Sequence, residues 1–569
     1  MKSSTSAKLS FRGISHEKLC LVAAISFITV VYVSTLSVNH SEAEDSLYYL
    51  MDISRGSLGD QVHPNHLLYN LINYLFLHSW QLIGYQGSVE VPVKIINIAG
   101  SLCTLLLVYS LATYLKFQYT LRYFCVFGVA FTCGYWWYSV ECETYILPLI
   151  FVLLCFRQLI RIQEEFHKVI NHILLGIYAA IAILLHQQHC LLGLTIVIGY
   201  LLVLHMNQKK TIWKQFIFRM SLCIFVCAFV TISSYLIAAI FFKGLTTYSH
   251  IENYILGRYN NMPVKLGYWS IGSVLLGIIG FLRTIIGGHF LFSFSTVANT
   301  FQQGLPGSML REEVFLVKDF SMLKSLSLCG LAVIVAFGSA FIAFQIAKKM
   351  SLQRILSDEA LSTKKKFVFA LILSYLITYS IFNIWWEPQN SEYWVSIVPL
   401  LFLAFGILLS ALQYKRFEII CMLAIILCLF TVNLFGSVLP QTNHKNDYWY
   451  AFNHWLIHNC KSNDLVVSGS AVISDAYVQY YTGARVLSIF PDDKDIDEKF
   501  RKIIASENPQ RIFFTSTIYA PPKEYLKKYK VDNSASKKFF EKSKNLLSLL
   551  HSNSWQTIYL YNLHHETTP

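Results

Sequence analysis

Charge is what this 569-residue chain has least of: only 14% of its residues are Asp, Glu, Lys or Arg, where a soluble domain carries about a quarter. With 54% hydrophobic residues beside it, that shortage excludes a soluble globular protein, because the apolar residues come in blocks of the roughly 20 residues that span a bilayer. Acids are scarcer than bases, 33 against 46, for a net charge of +13. The bases sit in short runs between apolar blocks and form no stripe, which points away from nucleic acid as a partner. No CxxC and no Cys/His metal spacing occurs. The 13 cysteines are scattered, with Cys103, Cys223 and Cys428 inside apolar blocks, so neither a disulfide framework nor a zinc site is expected. Internal repeats are missing too, which weakens a transporter built from duplicated halves.

What is present is the pattern of an α-helical polytopic membrane protein. Apolar segments near 19–37, 91–115, 122–140, 145–162, 169–186, 189–206, 219–242, 325–347, 367–386, 394–413 and 417–437 read as spans. The stretch 266–300 crosses either twice or not at all, for about 11–13 transmembrane helices in total. The basic start and the apolar run from Leu21 to Val33 carry no small-residue cleavage site, so the first span reads as uncleaved. Lys8, Arg12 and Lys18, then Lys116 and Arg122, Arg157 and Arg161, Lys209 and Lys210, Lys364 to Lys366, and Lys415 all fall on one side. The positive-inside rule makes that side cytoplasmic, with the N-terminus on it. The opposite loops carry Glu42, Asp45 and Asp52, then Glu141 and Glu143, then Glu387 and Glu392.

Residues 66–83 are apolar at helical spacing, interrupted by Asn70, Asn73 and His78. Counting them as a span would turn every later basic run outward, so they read as an amphipathic helix in the membrane interface. Residues 1–439 then form the membrane domain, with a first external loop over 38–90. From 440 to 569 the composition turns polar, with strand-like segments at 464–470, 484–490, 511–517 and 556–561 and helical patterns near 447–460, 494–506 and 537–551. This is a small C-terminal α/β domain, outside the cytoplasm by the parity of the spans.

Four external elements carry candidate chemistry. The first loop holds Asp45 just after the first span, at the depth of a lipid-borne phosphate, and His63 and His66 bracketing Pro64. A carboxylate there suits a base that takes a proton from a sugar hydroxyl; the histidines suit donation to a phosphate, or a metal. In WWYSVECETYIL (136–147), Glu141 and Glu143 stand at the mouth of a span beside belt-forming tryptophans. The hairpin LLHQQHC (184–190) puts His186 and His189 at the surface, as caps or phosphate contacts, and WWEPQNSEYW (385–394) offers Glu387 among aromatics as a sugar platform or a plain belt. Lys243, Arg258 and Lys265 are the cations of this side, as phosphate partners or solvated loop residues.

The order of these elements resembles the GT-C glycosyltransferase superfamily, whose relatives include protein O-mannosyltransferases and aminoarabinose transferases. Asp45 with Tyr49, HPNHLLY at 63–69 and ECETY at 141–145 look like its first-loop acid, its His-Pro element and its Glu-x-Tyr. Motif-level likeness is confined to about the first 150 residues. The resemblance implies inverting transfer of a sugar from a polyprenyl-phosphate donor to an extracytoplasmic glycan, lipid or protein acceptor. Asp45 would be the general base and Glu143 a supporting acid, with Glu44, Tyr49, His63, His66, Glu141, Tyr145, His186, His189, Arg258 and Glu387 binding substrate. Some relatives use a divalent metal ion and others do not. Relatives often carry Asp-Glu where this chain has Glu44-Asp45, which can move the base by one position, and His63-Pro64-Asn65 replaces the Lys-Pro-Pro of aminoarabinose transferases. The expectation is a multi-pass enzyme of a bacterial inner membrane. The rivals are an O-antigen polymerase or ligase, which relies on external Arg and His, a transporter, and a membrane-anchored binding protein.

Overall fold

The structure, a computed structural model, describes residues 16–43, 45–207, 213–256, 267, 269–304, 311–349, 362–410, 416–469, 472–489, 495–521 and 533–562. Eight of its helices are long and apolar enough to cross a membrane: His16–Ser34, Glu90–Tyr114, Gln187–Met206, Trp213–Phe242, Met322–Lys348, Thr363–Trp386, Ser391–Ser410 and Phe417–Thr442. Their outward faces are apolar, with Phe225, Phe229 and Leu427 each more than 60% exposed, which is stable only against lipid. The chain is an integral, multi-pass membrane protein. Helices are what a bilayer permits, since each satisfies its own backbone.

Each segment expected to span is helical, but not all are straight or full-length. The segment 122–140 breaks into Tyr119–Ala130 and Cys133–Ser139. At the break, Asn433 Nδ2 donates to Phe131 O (2.7 Å), a carbonyl left free by the helix end, and it also holds Ile285 O (2.9 Å) at the end of the helix Ile271–Ile285. The stretch 266–300 does not make two spans. It holds one apolar helix, Ile271–Ile285, which is too short to cross at about 1.5 Å per residue, followed by the polar helix Ser295–Gly304. This short helix lies against 388–394 at Gly280, where a Cβ would stand 2.2 Å from Pro388 O. The 66–83 segment forms the 14-residue helix Tyr69–Leu82, with Asn70 and Asn73 buried and Leu75 exposed. It turns Asn70, Asn73 and Leu77 into the protein and Ile72, Leu75 and Leu82 outward.

Five strands form one mixed sheet in the order β2-β1-β3-β5-β4: β1 Leu465–Ser468, β2 Arg485–Ser488, β3 Ile512–Thr515, β4 Leu547–Ser552 and β5 Thr557–Tyr561. β1 pairs in parallel with β2 and β3, and β5 pairs antiparallel with β3 and β4. The core between sheet and helices is Val467, Ile512, Phe514, Phe500 and Phe539. The helical pattern expected over 537–551 ends early: Ser534–Ser543 is helix, and β4 follows. LLSLLHS satisfies either period, and pairing with β5 decides it.

The polar C-terminal part is stitched to the first loop. Val38 and Asn39 donate their amides to Gln441 O (3.0 and 3.1 Å). Asp447, fully buried, accepts from Ser41 Oγ (2.7 Å), His40 N (3.3 Å) and Tyr477 Oη (2.7 Å). Leu47, Tyr49 and Leu50 share one core with Trp449, Phe452 and Tyr477.

Candidate functional site

The pinned loop delivers Asp45 to the N-cap of the helix Ser46–Arg55. An N-cap Asp ordinarily spends its carboxylate on the first free amides of its helix. Here there is no side-chain cap bond. The carboxylate is solvent-accessible and accepts from Tyr49 Oη one turn on, at 3.1 Å. Crowding by protein raises its pKa above the ordinary carboxylate value; the Tyr49 bond opposes the rise and the Glu387 carboxylate adds to it.

Beside it lies Glu143. Ser46, the residue after Asp45, donates to Glu143 Oε1 at 3.1 Å, while Oε2 has no partner among the described residues and the side chain is 1% exposed. Burial first, then the charges of Asp45, Glu392 and Glu141, push Glu143 well above its usual range, which favours its neutral form. The loop that carries it is held from behind. Asn97 Nδ2 donates to Glu141 O (2.7 Å), Glu143 O (2.9 Å) and Tyr69 Oη (3.2 Å). Glu141 itself faces away from Asp45, with Oε1 2.8 Å from His40 Nδ1 and receiving the Cys142 amide. Against the cost of burial, Glu141 and Glu90 raise His40 to about 10; it is a buried cation between two acids.

The rest of the cleft is aromatic. His66 lies edge-on to Tyr49 (4.6 Å) and stacks on His63 (4.3 Å). Burial and Lys243 bring His63 down to about 4, and burial, His63 and His186 hold His66 well below its ordinary value, so both rings are neutral. Tyr145 touches His186 (5.0 Å) and Tyr393 (5.9 Å); Glu387 accepts from Asn390 Nδ2 at 3.2 Å. Asp45, Tyr49, His63 and His66 are thus brought together, with Glu143 joined to them through Ser46, while Tyr145, His186 and Tyr393 form an aromatic group of their own and Glu387 acts on Asp45 through its charge. His189 is turned into the bundle, 2.8 Å from Tyr379 Oη. Glu44, Arg258 and Lys265 lie outside the described residues.

Several site residues gave no motif signal. Asn97 is one polar residue in an apolar span. Tyr138 and Tyr393 look like belt aromatics. No group of three or more His, Cys, Asp or Glu poised around a metal occurs among the described residues.

An apolar groove of about 690 Å³ runs down the outside of the bundle between the helices Leu192–Asn207 and Thr363–Trp386. Leu194, Ile198, Leu373, Ile377 and Trp385 line it. From Trp385 to Ala370 it follows the helix for about 22 Å. Its two hydroxyls, Ser374 and Thr378, are spent on their own helix backbone. Its upper end lies where Trp385 leads into Glu387 and Leu191 follows His189.

No family model matches the chain, and no curated protein does. Among solved structures, ArnT from Cupriavidus metallidurans bound to undecaprenyl phosphate is similar over 97% of this chain and 99% of its own, with a TM-score of 0.58 at 9% identity. An oligosaccharyltransferase of Archaeoglobus fulgidus, in complex with zinc and sulfate, is similar over 91% of this chain and 70% of its own, with a TM-score of 0.49 at 12% identity. The ArnT likeness establishes the fold.

Proposed function

We propose that this chain, which has the GT-C fold, transfers a sugar from a polyprenyl-phosphate donor to an acceptor hydroxyl on the non-cytoplasmic side of a bacterial inner membrane, with Asp45 as general base. The observation that carries the reading is a carboxylate placed at a helix N-cap yet left unspent on capping, solvent-accessible and paired with Tyr49. The groove suits an isoprenoid chain, and the ArnT relative was solved with undecaprenyl phosphate. In the reaction the acceptor oxygen attacks the anomeric carbon on the face opposite the phosphate. The bond from that carbon to the phosphate oxygen breaks, its electron pair leaves with the lipid phosphate, and Asp45 takes the hydroxyl proton. The product is inverted. Glu143, neutral, donates to the acceptor or to Asp45 and keeps a second negative charge out of the cleft. The tyrosines stack against sugar faces. No step above runs through a divalent ion.

The test is mass spectrometry of lipid-linked sugars and envelope glycans from cells with and without the chain. Loss of one glycan modification with accumulation of a matching polyprenyl-phosphate sugar supports the reading, and identical profiles sink it. A compartment-sensitive reporter fused after Asn459 is expected to report the non-cytoplasmic side.

Two further outcomes arise here. A base works ionised, so transfer is lost as pH falls through the raised pKa of Asp45. Tyr49→Phe removes the bond that favours the ionised form, so the acid limb of the rate profile moves to higher pH; a shift to lower pH, or none, contradicts the pairing. Ile377→Trp narrows the groove and is expected to raise KM for a long-chain donor about tenfold, the equivalent of roughly two methylenes of lost burial. A donor with a short tail is unaffected, and equal effects on both would remove the groove from the donor path.

A further inference from the structure

Arg219, near the start of the span Trp213–Phe242, is a cation without a counter-charge among the described residues. Its Nε and Nη1 are shut off from solvent and have no acceptor among them. A guanidinium stays ionised, and a charge held away from water without a partner is costly. The groups around it do not meet that need. The helix Val169–Leu185 packs on this span, so closely that a Cβ at Gly176 would stand 2.6 Å from Cys223 O. His172 and Arg219 lie one turn earlier on the two helices, and the Arg219 charge reaches His172 and Tyr200. Those two are engaged with each other, His172 Nδ1 to Tyr200 Oη at 2.6 Å, and His172 Nε2 lies 2.9 Å from Phe166 O. The acids just before Phe166 are spent as well: Glu164 pairs with Lys364 (2.6 Å) and Glu165 with Lys168 (2.7 Å). The Phe218 ring, 5.8 Å from Arg219 Cζ, offers a quadrupole and not a charge.

Position along the span says what the missing charge is. Its 30 residues make about 45 Å, against a hydrocarbon core of about 30 Å. About five residues at each end thus lie beyond the hydrocarbon, and Arg219 sits at its edge. Helical side chains lean toward the N-terminus, which carries the guanidinium out to the depth of lipid phosphates. Its neighbours Trp213, Ile217 and Phe218 are each more than half exposed, so acyl chains cover this flank. Lys214, exposed a turn earlier, adds a second positive charge. This end of the bundle is the far one from the first loop. Leu184 O receives Leu68 N at 3.0 Å, and His172 lies about 18 Å down the same helix from it.

We propose that Arg219 binds the phosphate of a membrane phospholipid in the leaflet opposite the first loop, with an anionic headgroup preferred over a zwitterionic one. The phosphate brings the charge that the guanidinium lacks, and two of its oxygens match the guanidinium fork. Its tails lie along Ile217 and Phe218. The anionic preference follows from Lys214, which a zwitterion would leave unmatched. The site stands apart from the transferase reading and holds whether or not Asp45 is a base. The span is thus electrically complete only with a lipid in place.

The experiment titrates the full-length protein in detergent with phosphatidylglycerol, phosphatidylcholine, diacylglycerol or inorganic phosphate. Bound lipid is read by native mass spectrometry, and stability by thermal unfolding. Phosphatidylglycerol is expected to bind the wild type more tightly than phosphatidylcholine and to raise its unfolding midpoint. Arg219→Gln is expected to bind phosphatidylglycerol about fivefold more weakly or worse. Without lipid, the same variant is expected to unfold at a higher temperature than the wild type, because the unpaired charge is gone; added phosphatidylglycerol closes or reverses that gap. Arg161→Gln, an exposed cation on the same side, binds as the wild type does. Wild-type affinity in a folded Arg219→Gln overturns the site. An equal loss in Arg161→Gln also overturns it, by assigning the effect to diffuse attraction. Diacylglycerol binding as tightly as phosphatidylglycerol would place recognition in the tails, and inorganic phosphate protecting as well as the lipid would assign the site to a free anion; either overturns the lipid assignment. Arg219→Met, which keeps the apolar stem, takes over the test with the same outcomes if Arg219→Gln does not fold.

Discussion

Asp45→Asn is expected to lower the transfer rate by about a thousandfold or more, within the 10²–10⁴ range that a positioned general base supplies, while leaving stability and donor binding unchanged. The reason for the clean separation is local. Asp45 makes no capping bond, so the helix Ser46–Arg55 loses nothing when the charge is removed. The amide oxygen of Asn can still accept from Tyr49, which keeps the side chain in place. Only proton acceptance disappears. Glu143→Gln makes the informative contrast. A neutral amide imitates a protonated carboxyl, and Glu143 is held protonated by burial and by Asp45, so this variant is expected to retain transfer within about tenfold. Single-turnover rates in proteoliposomes, with unfolding midpoints alongside, decide the matter. Full activity in Asp45→Asn removes Asp45 from the mechanism. If Glu143→Gln is the dead variant instead, the base is Glu143 and the two roles exchange.

Asn97→Asp is the second large effect, and it acts on structure. One amide nitrogen, fully buried, serves the carbonyls of Glu141 and Glu143 and the Tyr69 hydroxyl. Asp is nearly isosteric but brings only oxygen. It faces two carbonyl oxygens with a lone pair or, if ionised, with a charge. The expected cost is about 3–5 kcal/mol, the range for a buried polar site broken on one side, with the loop carrying Glu143 released and transfer lost with it. Thermal unfolding of detergent-solubilised protein reads the stability directly. Wild-type stability in the variant would mean that the 141–143 loop is held by other contacts, such as the bond between His40 and Glu141.

The parts legible in the sequence were those written in a period or a short motif. Apolar runs located the long helices, and alternation located four of the five strands. Asp45, Tyr49, His66 and Glu143 stood out because their spacing resembles a family pattern. What stayed hidden depends on contacts across hundreds of residues. The break at Phe131 requires Asn433, which no local window connects to it. Arg283 and Glu42 meet only because a short helix turns against the first loop. The strand Leu547–Ser552 reads equally well as helix until β5 pairs with it. Glu141 and Glu143 are two positions apart and alike on paper, yet one is bonded to His40 and the other faces Asp45; backbone direction at a tight turn, which composition does not encode, separates them.

The bonds between the first loop and the segment around Asp447 also set an order of manufacture. Asn39 and its partner Asn446 are 407 residues apart. At about 5–20 residues per second, a ribosome needs on the order of 20–80 s between making one and making the other. Throughout that interval the loop bearing Asp45 has no anchor on its C-terminal side, even with most spans already threaded. A chain stalled or cut before Gln441 lacks the partners that hold this loop from its far side, so the loop is expected to take its final place only at the end of synthesis.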